Sequence, residues 1–132
     1  MIKLEIVTPE KKILSDTVDA VTVPTVSGEV GILPNHAPLI SALKPGILSH
    51  TTGGSTQKMV VSGGFVEVGV NTVSVLAEVA EAADEINGET ARSDKDEAER
   101  ALAGAKDPLE QMETEQEKLG LAQARLQLLS GK

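Results

Sequence analysis

The chain has 132 residues, a single aromatic side chain (Phe65), no cysteine and a net charge of −8. The lack of cysteine excludes disulfides, thiolate metal sites and a cysteine nucleophile. An acidic chain without a basic patch is repelled by nucleic acid and by anionic lipid. No apolar run approaches the roughly 18 residues that a membrane-spanning helix needs, so a role at a membrane would require another protein as the anchor.

The first half of the chain is dominated by strand patterns. Its start alternates apolar and polar side chains, which indicates a strand rather than a signal peptide. Gly53-Gly54 predicts a tight hairpin because glycine tolerates positive φ, whereas Pro24 is predicted to limit strand pairing. The regular strand spacing favours an antiparallel sandwich or barrel. Other strands are predicted at residues 21–23, 47–52, 56–61, 65–68 and 73–79, the last with Val73, Val75, Ala77 and Val79 on one face.

The composition changes near residue 80. All fourteen valines lie at or before Val79, and the rest of the chain is rich in Ala, Glu, Gln and Leu. Residues 1–77 carry six acidic and five basic side chains, and residues 78–132 carry fourteen and seven, which sum to the 20 and 12 of the whole chain. The sequence therefore predicts two domains, at residues 1–84 and 85–132.

The second half predicts an antiparallel hairpin of two helices. The first spans about residues 88–103, and Gly104 is placed to end it. The second spans about residues 108–129, roughly 30 Å at 1.5 Å per residue, with Asp107 as its cap, Pro108 at its first position and Glu110 completing the capping signal. The predicted apolar stripes are Ala91, Ala98, Ala101, Leu102 and Ala105 on the first helix, and Leu109, Met112, Leu119, Leu126 and Leu129 on the second.

This helical hairpin is predicted to be only marginally stable. Its interface consists of alanines and scattered leucines, and each buried apolar side chain contributes only about 1.5–3 kcal/mol. Gly120 costs the second helix about 1 kcal/mol relative to alanine. We therefore expect the hairpin to be able to detach from the β-domain.

Residues 27–46 carry the most specific sequence signal. They place Gly, Pro and Asn-His in short loops between apolar pairs, which predicts a tightly turned surface with Glu29 and His36 exposed or half exposed. This run resembles the hallmark segment of ATP synthase epsilon subunits, and residues 62–68 also resemble that family. Residues 4–10 and 72–76 are similar in character, and the order of β-domain and helices also matches.

The resemblance implies a fold and a function. It implies an N-terminal antiparallel β-sandwich and a C-terminal helical hairpin, in a non-catalytic rotor subunit that couples the gamma subunit to the c-ring for proton-driven ATP synthesis. The hairpin would inhibit ATP hydrolysis by extending towards the alpha and beta subunits. The expected location is peripheral, on the cytoplasmic face of a bacterial inner membrane, or on the stromal face of the thylakoid for a chloroplast member.

The resemblance also implies site residues. We expect no cofactor, metal or catalytic residue. His50 on a hairpin strand is assigned no functional role. The expected contacts are Gly28, Glu29, Val30 and Gly31 with the c-ring, His36 and Ser41 with the gamma subunit, and Lys118 and Arg125 in the regulatory hairpin.

Nucleotide binding is not expected. Family members that bind ATP carry the pattern Ile-Asp-x-x-Arg-Ala at the start of the first helix. Residues 86–91 read Ile-Asn-Gly-Glu-Thr-Ala, so the acid and the arginine are both missing, and Arg92 lies two positions late. No phosphate-binding loop or metal-ligand spacing is present either.

Two other functions are open from the residues alone. The first is a free-standing adaptor that binds no gamma subunit. The second is an enzyme whose site is built from His36 and nearby acids, which would need a deep pocket beside that histidine.

Overall fold

The computed structural model describes residues 1–104 and 109–130, with side chains for 1–104 and 114–130. The described residues form ten strands, one 3₁₀ turn at Ala83–Glu85 and two helices. The strands are β1 Ile2–Val7, β2 Lys12–Val18, β3 Ala20–Thr25, β4 Gly28–Ile32, β5 Leu39–Ala42, β6 Gly46–Thr52, β7 Ser55–Ser62, β8 Phe65–Val68, β9 Thr72–Leu76 and β10 Val79–Glu81, and the helices are α1 Gly88–Ala103 and α2 Leu109–Leu129.

The strands form a β-sandwich of two five-stranded sheets. The first sheet has the order β2-β1-β9-β8-β5 and the second β10-β7-β6-β3-β4. All pairs are antiparallel except β1 with β9. Alternating aliphatic side chains of both sheets, such as Ile6, Leu48 and Val75, fill the space between them and are fully buried. The predicted fold class is therefore confirmed.

Local sequence signals placed several strands correctly. β1 contains the alternating residues 2–6 at the start of the chain, and β8 has its predicted span. Gly53 and Gly54 join β6 to β7 in a two-residue turn with φ of 58° and 84°. Positive φ at both central residues is the geometry that matches the twist of a hairpin. β3 continues through Pro24, which lies opposite Glu29 on β4. Pairing therefore extends one residue beyond the proline.

The structure differs from the predicted strands at three places. β2 was not predicted, because Ile13 and Leu14 are only half-buried on an edge strand whose remaining residues are mostly polar. Residues 27–46 were predicted to be short loops, but they contain the edge strands β4 and β5. Val79 does not continue the face of Val75. The chain crosses there to the second sheet, where Val79 pairs with Ser62.

Helix α1 has the predicted bounds. The side chain of Asn87 accepts a hydrogen bond from the backbone N of Thr90 at 3.1 Å, which caps the helix, and Gly104 stands at its end. The predicted cap of α2 at Asp107 and Pro108 lies outside the described residues. So do the side chains predicted for its start and for the end of the α1 stripe, namely Leu109, Glu110, Met112 and Ala105.

The buried face of α2 differs from the predicted leucine stripe. Ala122, Ala124 and Leu128 are buried, whereas Leu119 and Leu126 are half-buried and Leu129 is exposed. The physical reason is that α2 contacts two partners, α1 and strands β6 and β7 of the second sheet. A helix packed on two sides buries more than one stripe, and alanine allows close approach. On α1, Ala91 and Ala98 are buried as predicted, but Ala101 is exposed and Leu102 is half-buried.

Candidate interaction sites

The tip of the β3–β4 hairpin, residues 25–29, is held in shape by its own hydrogen bonds. The buried Thr25 donates its hydroxyl to the carbonyl of Gly28 at 2.7 Å and accepts from the backbone N of Ser27 at 3.2 Å. Gly28 has φ of +110°, a conformation that side chains disfavour. The tip is therefore a fixed platform rather than a loose loop.

This tip presents one carboxylate and one apolar side chain to solvent. Glu29 and Val26 are both exposed, and the backbone N of Val26 is tied to the carbonyl of Ala42 at 3.1 Å. Of the other residues predicted to contact the c-ring, Val30 packs partly against the core. The exposure of Val26 was not predicted, although its place in the turn Thr25-Val26-Ser27-Gly28 could have indicated it.

His36 lies in the loop at the opposite end of β4. Asn35, with φ of 66°, donates its backbone N to the carbonyl of Val70 at 2.9 Å, which fastens the loop to the β8–β9 turn. His36 is half-buried, and its Nδ1 is 2.7 Å from the carbonyl of Ala37. Because a carbonyl only accepts, Nδ1 is the donor of this hydrogen bond. Glu29 and His36 therefore lie towards different ends of the sandwich.

Ser41 and its neighbours alternate on the edge strand β5. Leu39 and Ser41 are half-buried, whereas Ile40 and Ala42 are exposed. Side chains at alternate positions of a strand share a face, so Ile40 and Ala42 point outward from the sheet. The predicted contact Ser41 thus lies on the partly covered face of the strand, and the large outward side chain beside it is Ile40.

Arg125 joins three elements of the fold. Its Nε and Nη2 donate to the two carboxylate oxygens of Glu81 on β10 at 2.7 and 3.2 Å, and its Nη1 is 3.8 Å from Asp94 on α1. Bidentate guanidinium–carboxylate pairs are among the stronger polar contacts in proteins. We call this group the Arg125 clasp. It attaches the helices to the sandwich.

The other predicted hairpin cation, Lys118, forms a weaker pair. Its Nζ is 3.4 Å from Glu97 on α1, and the two side chains are 37% and 63% exposed. Such exposed pairs contribute little to stability. Both predicted cations of the hairpin therefore face carboxylates of the same chain in the folded arrangement.

The pocket beside the Arg125 clasp is small and acidic. It has a volume of about 180 Å³, and its lining includes Glu81 and Glu85 as well as Arg125. The side chain of Asn87 is already used to cap α1. Two carboxylates around one engaged guanidinium are a poor environment for a triphosphate.

The described part of the chain shows neither a metal cluster nor a membrane-spanning helix. Among the side chains that the structure describes, those of residues 1–104 and 114–130, no cluster of three or more His, Asp or Glu is arranged to hold a metal. None of the helices in that part of the chain has the length and hydropathy needed to cross a bilayer. His50 is buried on β6, and burial lowers its pKa from 6.5, with nearby Asp16 acting in the opposite direction.

Comparison with known proteins identifies the family. The family model described as ATP synthase, Delta/Epsilon chain, beta-sandwich domain, matches residues 1–83. The ATP synthase epsilon chain of Nitratidesulfovibrio vulgaris is 50% identical over 107 residues, which cover 81% of this chain and 80% of that one. The chain belongs to the ATP synthase epsilon family. The epsilon chain of Carboxydothermus hydrogenoformans is 51% identical over 102 residues, covering 77% and 76% of the two chains.

Solved structures with the same fold come from ATP synthases. A chain of the Euglena gracilis mitochondrial ATP synthase, solved as OSCP/F1/c-ring, superposes with a TM-score of 0.80 at 29% identity and covers 96% of this chain and 79% of its own. A chain of the Tetrahymena thermophila central stalk and c-ring has a TM-score of 0.65 at 16% identity and bears on the fold alone. The family resemblance stated from residues 27–46 and 62–68 is confirmed.

Proposed function

We propose that this epsilon-family chain is a non-catalytic rotor subunit that couples the gamma subunit to the c-ring. The observation that carries the proposal is the match to bacterial epsilon chains at about half identity over four-fifths of the chain. The fold supports it, since the sandwich and both helices superpose on a chain of an ATP synthase assembly that contains F1 and the c-ring. Rigid sheets with a dry aliphatic core suit a part that transmits torque.

Gel filtration with the cognate gamma subunit tests the proposal. We expect the two chains to co-elute as a one-to-one complex at micromolar concentration. Separate elution of two well-folded proteins would contradict the rotor function and would favour a free-standing adaptor. A mixture of the gamma subunit with an unrelated protein of similar size to this chain serves as the negative control.

The tip of the β3–β4 hairpin is the proposed c-ring contact. Its support is the fixed backbone of Gly28–Ile32 and the exposed carboxylate of Glu29, which can accept hydrogen bonds from a polar loop. Val26 adds an apolar contact at the same tip. ATP-driven proton pumping by the reassembled complex would measure the coupling. A double change, Val26→Ser with Glu29→Gln, should reduce pumping more than ATP hydrolysis.

His36 and Ser41 are the proposed gamma contacts. His36 is supported by its ordered loop, in which Nδ1 donates to the carbonyl of Ala37, so that Nε2 is the ring nitrogen proposed to face the partner. Ser41 lies on the adjoining edge strand β5, which stands last in the order of its sheet. Affinity measurements on His36→Phe, which keeps a ring but removes both ring nitrogens, would test the first contact.

Residues 85–132 are proposed to form a regulatory domain, with residues 1–84 as the coupling domain. The helices touch the sandwich through a small apolar cluster and the Arg125 clasp, so detachment exposes little apolar surface. Released helices would reach the alpha and beta subunits, where Lys118 and Arg125 would be free to pair with acidic segments. ATP hydrolysis by the assembled F1 with and without residues 85–132 would measure the inhibition.

Tight ATP binding is not part of the proposal. The acidic lining of the pocket at the Arg125 clasp and the missing acid and arginine of the family pattern both argue against it. Isothermal titration with Mg-ATP should detect no low-micromolar site. A dissociation constant in that range would overturn this expectation.

The proposed location is the cytoplasmic face of a bacterial inner membrane, held there by partners. The relatives reported above are bacterial, which favours this location over a thylakoid. Salt or alkaline washing of membranes, which strips peripheral proteins, should release the chain together with the other F1 subunits. Retention in the washed membranes would contradict attachment through partners alone.

A further inference from the structure

Residues 42–46, where β5 ends and β6 begins, lie between the tip of the β3–β4 hairpin and helix α2. On the tip side, the backbone N of Val26 donates to the carbonyl of Ala42 at 3.1 Å, and the backbone N of Lys44 donates to the carbonyl of Pro24 at 3.1 Å. On the other side, α2 packs on β6 and β7. We call residues 42–46 the linking segment.

The tip side of the linking segment is packed without spare room. Pro24 is buried, and a Cβ added at Gly46 would lie 2.8 Å from the Cβ of Pro24, closer than real side chains approach. Glycine at position 46 is therefore what lets the two strands come so close. Because a proline ring fixes φ, Pro24 yields little, and a displacement of the tip would move the linking segment.

The helix side of the linking segment is also a contact between a proline and a glycine. A Cβ added at Gly120 of α2 would lie 3.3 Å from the Cβ and 3.6 Å from the Cγ of Pro45. Glycine is unfavourable inside a helix, so its presence here indicates that position 120 serves the close approach of α2 to Pro45.

The linking segment is held in order between these two contacts. Leu43 is buried in the core, and its backbone N donates to the carbonyl of Gly64 at 3.0 Å. The backbone of Leu43 also forms an isolated β-bridge with Thr25, at the base of the tip. Close-packed protein transmits strain instead of absorbing it. A shift on one side of the segment therefore changes the fit on the other side.

Helix α2 is held unevenly on the two sides of Gly120. Residues 121–129 contain the Arg125 clasp and all the buried side chains that the structure describes in α2. Residues 114–119 contain none, and the described part of the chain supplies no hydrogen-bond partner to one water-shielded carboxylate oxygen of Glu115. An unsatisfied buried oxygen weakens docking. Pressure at Gly120 therefore acts at the margin of the docked part of the helix.

The tip and α2 are otherwise separated by a groove. It has a volume of about 430 Å³ and is lined by Glu29 of the tip, Pro45 of the linking segment and Gln127 of α2, among others. Since α2 packs on β6 and β7 and not on β3 or β4, the path between the tip and the helix runs through the linking segment.

We propose that the linking segment couples the tip to the docking of α2: a tip displaced by its partner shifts residues 42–46 against Gly120 and releases the helices. This rests on the proposed function, which assigns the tip to the c-ring and the helices to regulation. The element with two states is α2, docked on β6 and β7 or detached. Coupling between two sites is reciprocal, so detachment of the helices loosens the tip.

Hydrogen exchange of the full chain, without partners, tests the coupling because it reports local opening. The variant Gly46→Ala pushes the linking segment away from Pro24, and its added Cβ meets Pro24 rather than α2. The readout is the exchange of the backbone amides of residues 121–129 relative to those of β1. The matched control is Gly31→Ala on β4 of the same sheet, where an added Cβ meets nothing within 4 Å.

The expected result is faster opening of α2 when the linking segment is displaced. Gly46→Ala should speed the exchange of the α2 amides about fivefold or more, the lower end of typical couplings between sites. Gly31→Ala should stay within about twofold of the parent, as a substitution without new contacts does.

A second pair of variants tests the contact at Pro45. Alanine and leucine have nearly equal helix propensities, so a difference between Gly120→Ala and Gly120→Leu measures the room at this contact. Exchange of α2 should be faster in Gly120→Leu. Equal exchange in the two variants would mean that Pro45 leaves space for a larger side chain, and the coupling would be overturned.

The reverse direction is measured in Gly120→Leu. The backbone amides of Val26 and Lys44 should exchange about fivefold faster or more, because their hydrogen bonds join the tip to the linking segment. The amides at the far end of β6, beside Gly53 and Gly54, should be unaffected.

Three outcomes separate the coupling from the proposed function. If Gly46→Ala and Gly31→Ala leave α2 equally protected, the linking segment is a static brace and the coupling is overturned. If Gly46→Ala speeds exchange in β1 as much as in α2, the whole chain is opening, and the Val26 and Lys44 amides in Gly120→Leu decide: parental rates there overturn the coupling. Failure to co-elute with gamma would instead overturn the proposed function, whatever the exchange of the isolated chain.

Discussion

The Arg125 clasp should control how often the helices leave the sandwich. The informative change is Arg125→Met, which keeps the length of the side chain and removes the charge. In the folded chain the pair of Arg125 and Glu81 is bidentate, with side chains only 20% and 26% exposed. The substitution also leaves Glu81 and Asp94 near each other without a cation between them.

The magnitude follows from this partial burial. An exposed pair contributes about 0.2–1 kcal/mol, and breaking a fully buried one costs about 3–5 kcal/mol. The clasp lies between these limits, so we expect Arg125→Met to destabilise docking by about 2 kcal/mol. Since 1.4 kcal/mol is a factor of ten in an equilibrium constant, this is about a 30-fold larger open population.

Hydrogen exchange of the α2 backbone amides is the assay, because it reports local opening. Protection of residues 119–129 should fall about 30-fold in Arg125→Met, while the amides of β6 should be unaffected. Lys118→Met is the matched control. Its exposed pair with Glu97 should change protection by less than about threefold.

Two results would refute this reasoning. Equal loss of protection in Arg125→Met and Lys118→Met would mean that the bidentate geometry and partial burial of the clasp do not matter. Uniformly slow exchange across residues 88–129 in the parent chain would mean that the hairpin is not marginal at all. In that case a regulatory role through detachment would have to be abandoned.

Two further predictions concern the sandwich. His50 has a pKa below its ordinary value of 6.5 because it is buried. Near and below pH 6.5 the unfolded chain therefore binds a proton at this residue more readily than the folded chain does. The free energy of unfolding should fall as the pH drops below 6.5. Urea unfolding between pH 7.5 and 5.5 should show this decline in the parent and a flatter profile in His50→Gln; equal slopes would contradict it. Gly64→Ala should lower the free energy of unfolding by about 3 kcal/mol or more, because the positive φ at this position is combined with a collision between the new Cβ and the Leu76 carbonyl. Gly54 has nearly the same φ as Gly64 but open space around it, so Gly54→Ala should lower the free energy of unfolding by only about 1–2 kcal/mol. Similar losses of stability in thermal melts of the two variants would disprove the role of that collision.

The surface exposure of the candidate site residues was predictable from short-range features of the sequence. Glu29 and His36 were both predicted to be exposed or half exposed, because turn-forming Gly, Pro and Asn residues keep their neighbours near the surface, and the structure has Glu29 exposed and His36 half-buried. The contacts of these residues with partners stay predictions. Val26, Ile40 and Phe65 were not predicted as surface features, since their exposure depends on which strand lies beside them.

The sequence by itself determined the elements whose signals are short-range. Alternating aliphatic residues specify the strands at Ile2–Val7 and Phe65–Val68, and two glycines specify the β6–β7 hairpin. Asn87 caps the start of α1, and Gly104 stands at its end. Each of these is a contact between residues a few positions apart, or a backbone preference of one residue. The family resemblance came from the same kind of local run.

Only the tertiary structure decided the features that depend on distant residues. Pairing across the sheets made edge strands of β4 and β5, and it moved Val79 to the second sheet. Packing on two sides selected the buried face of α2. Arg125 found Glu81 at a separation of 44 residues. A local pattern cannot encode these outcomes, because the partner that buries or neutralises a side chain is chosen when the whole chain folds.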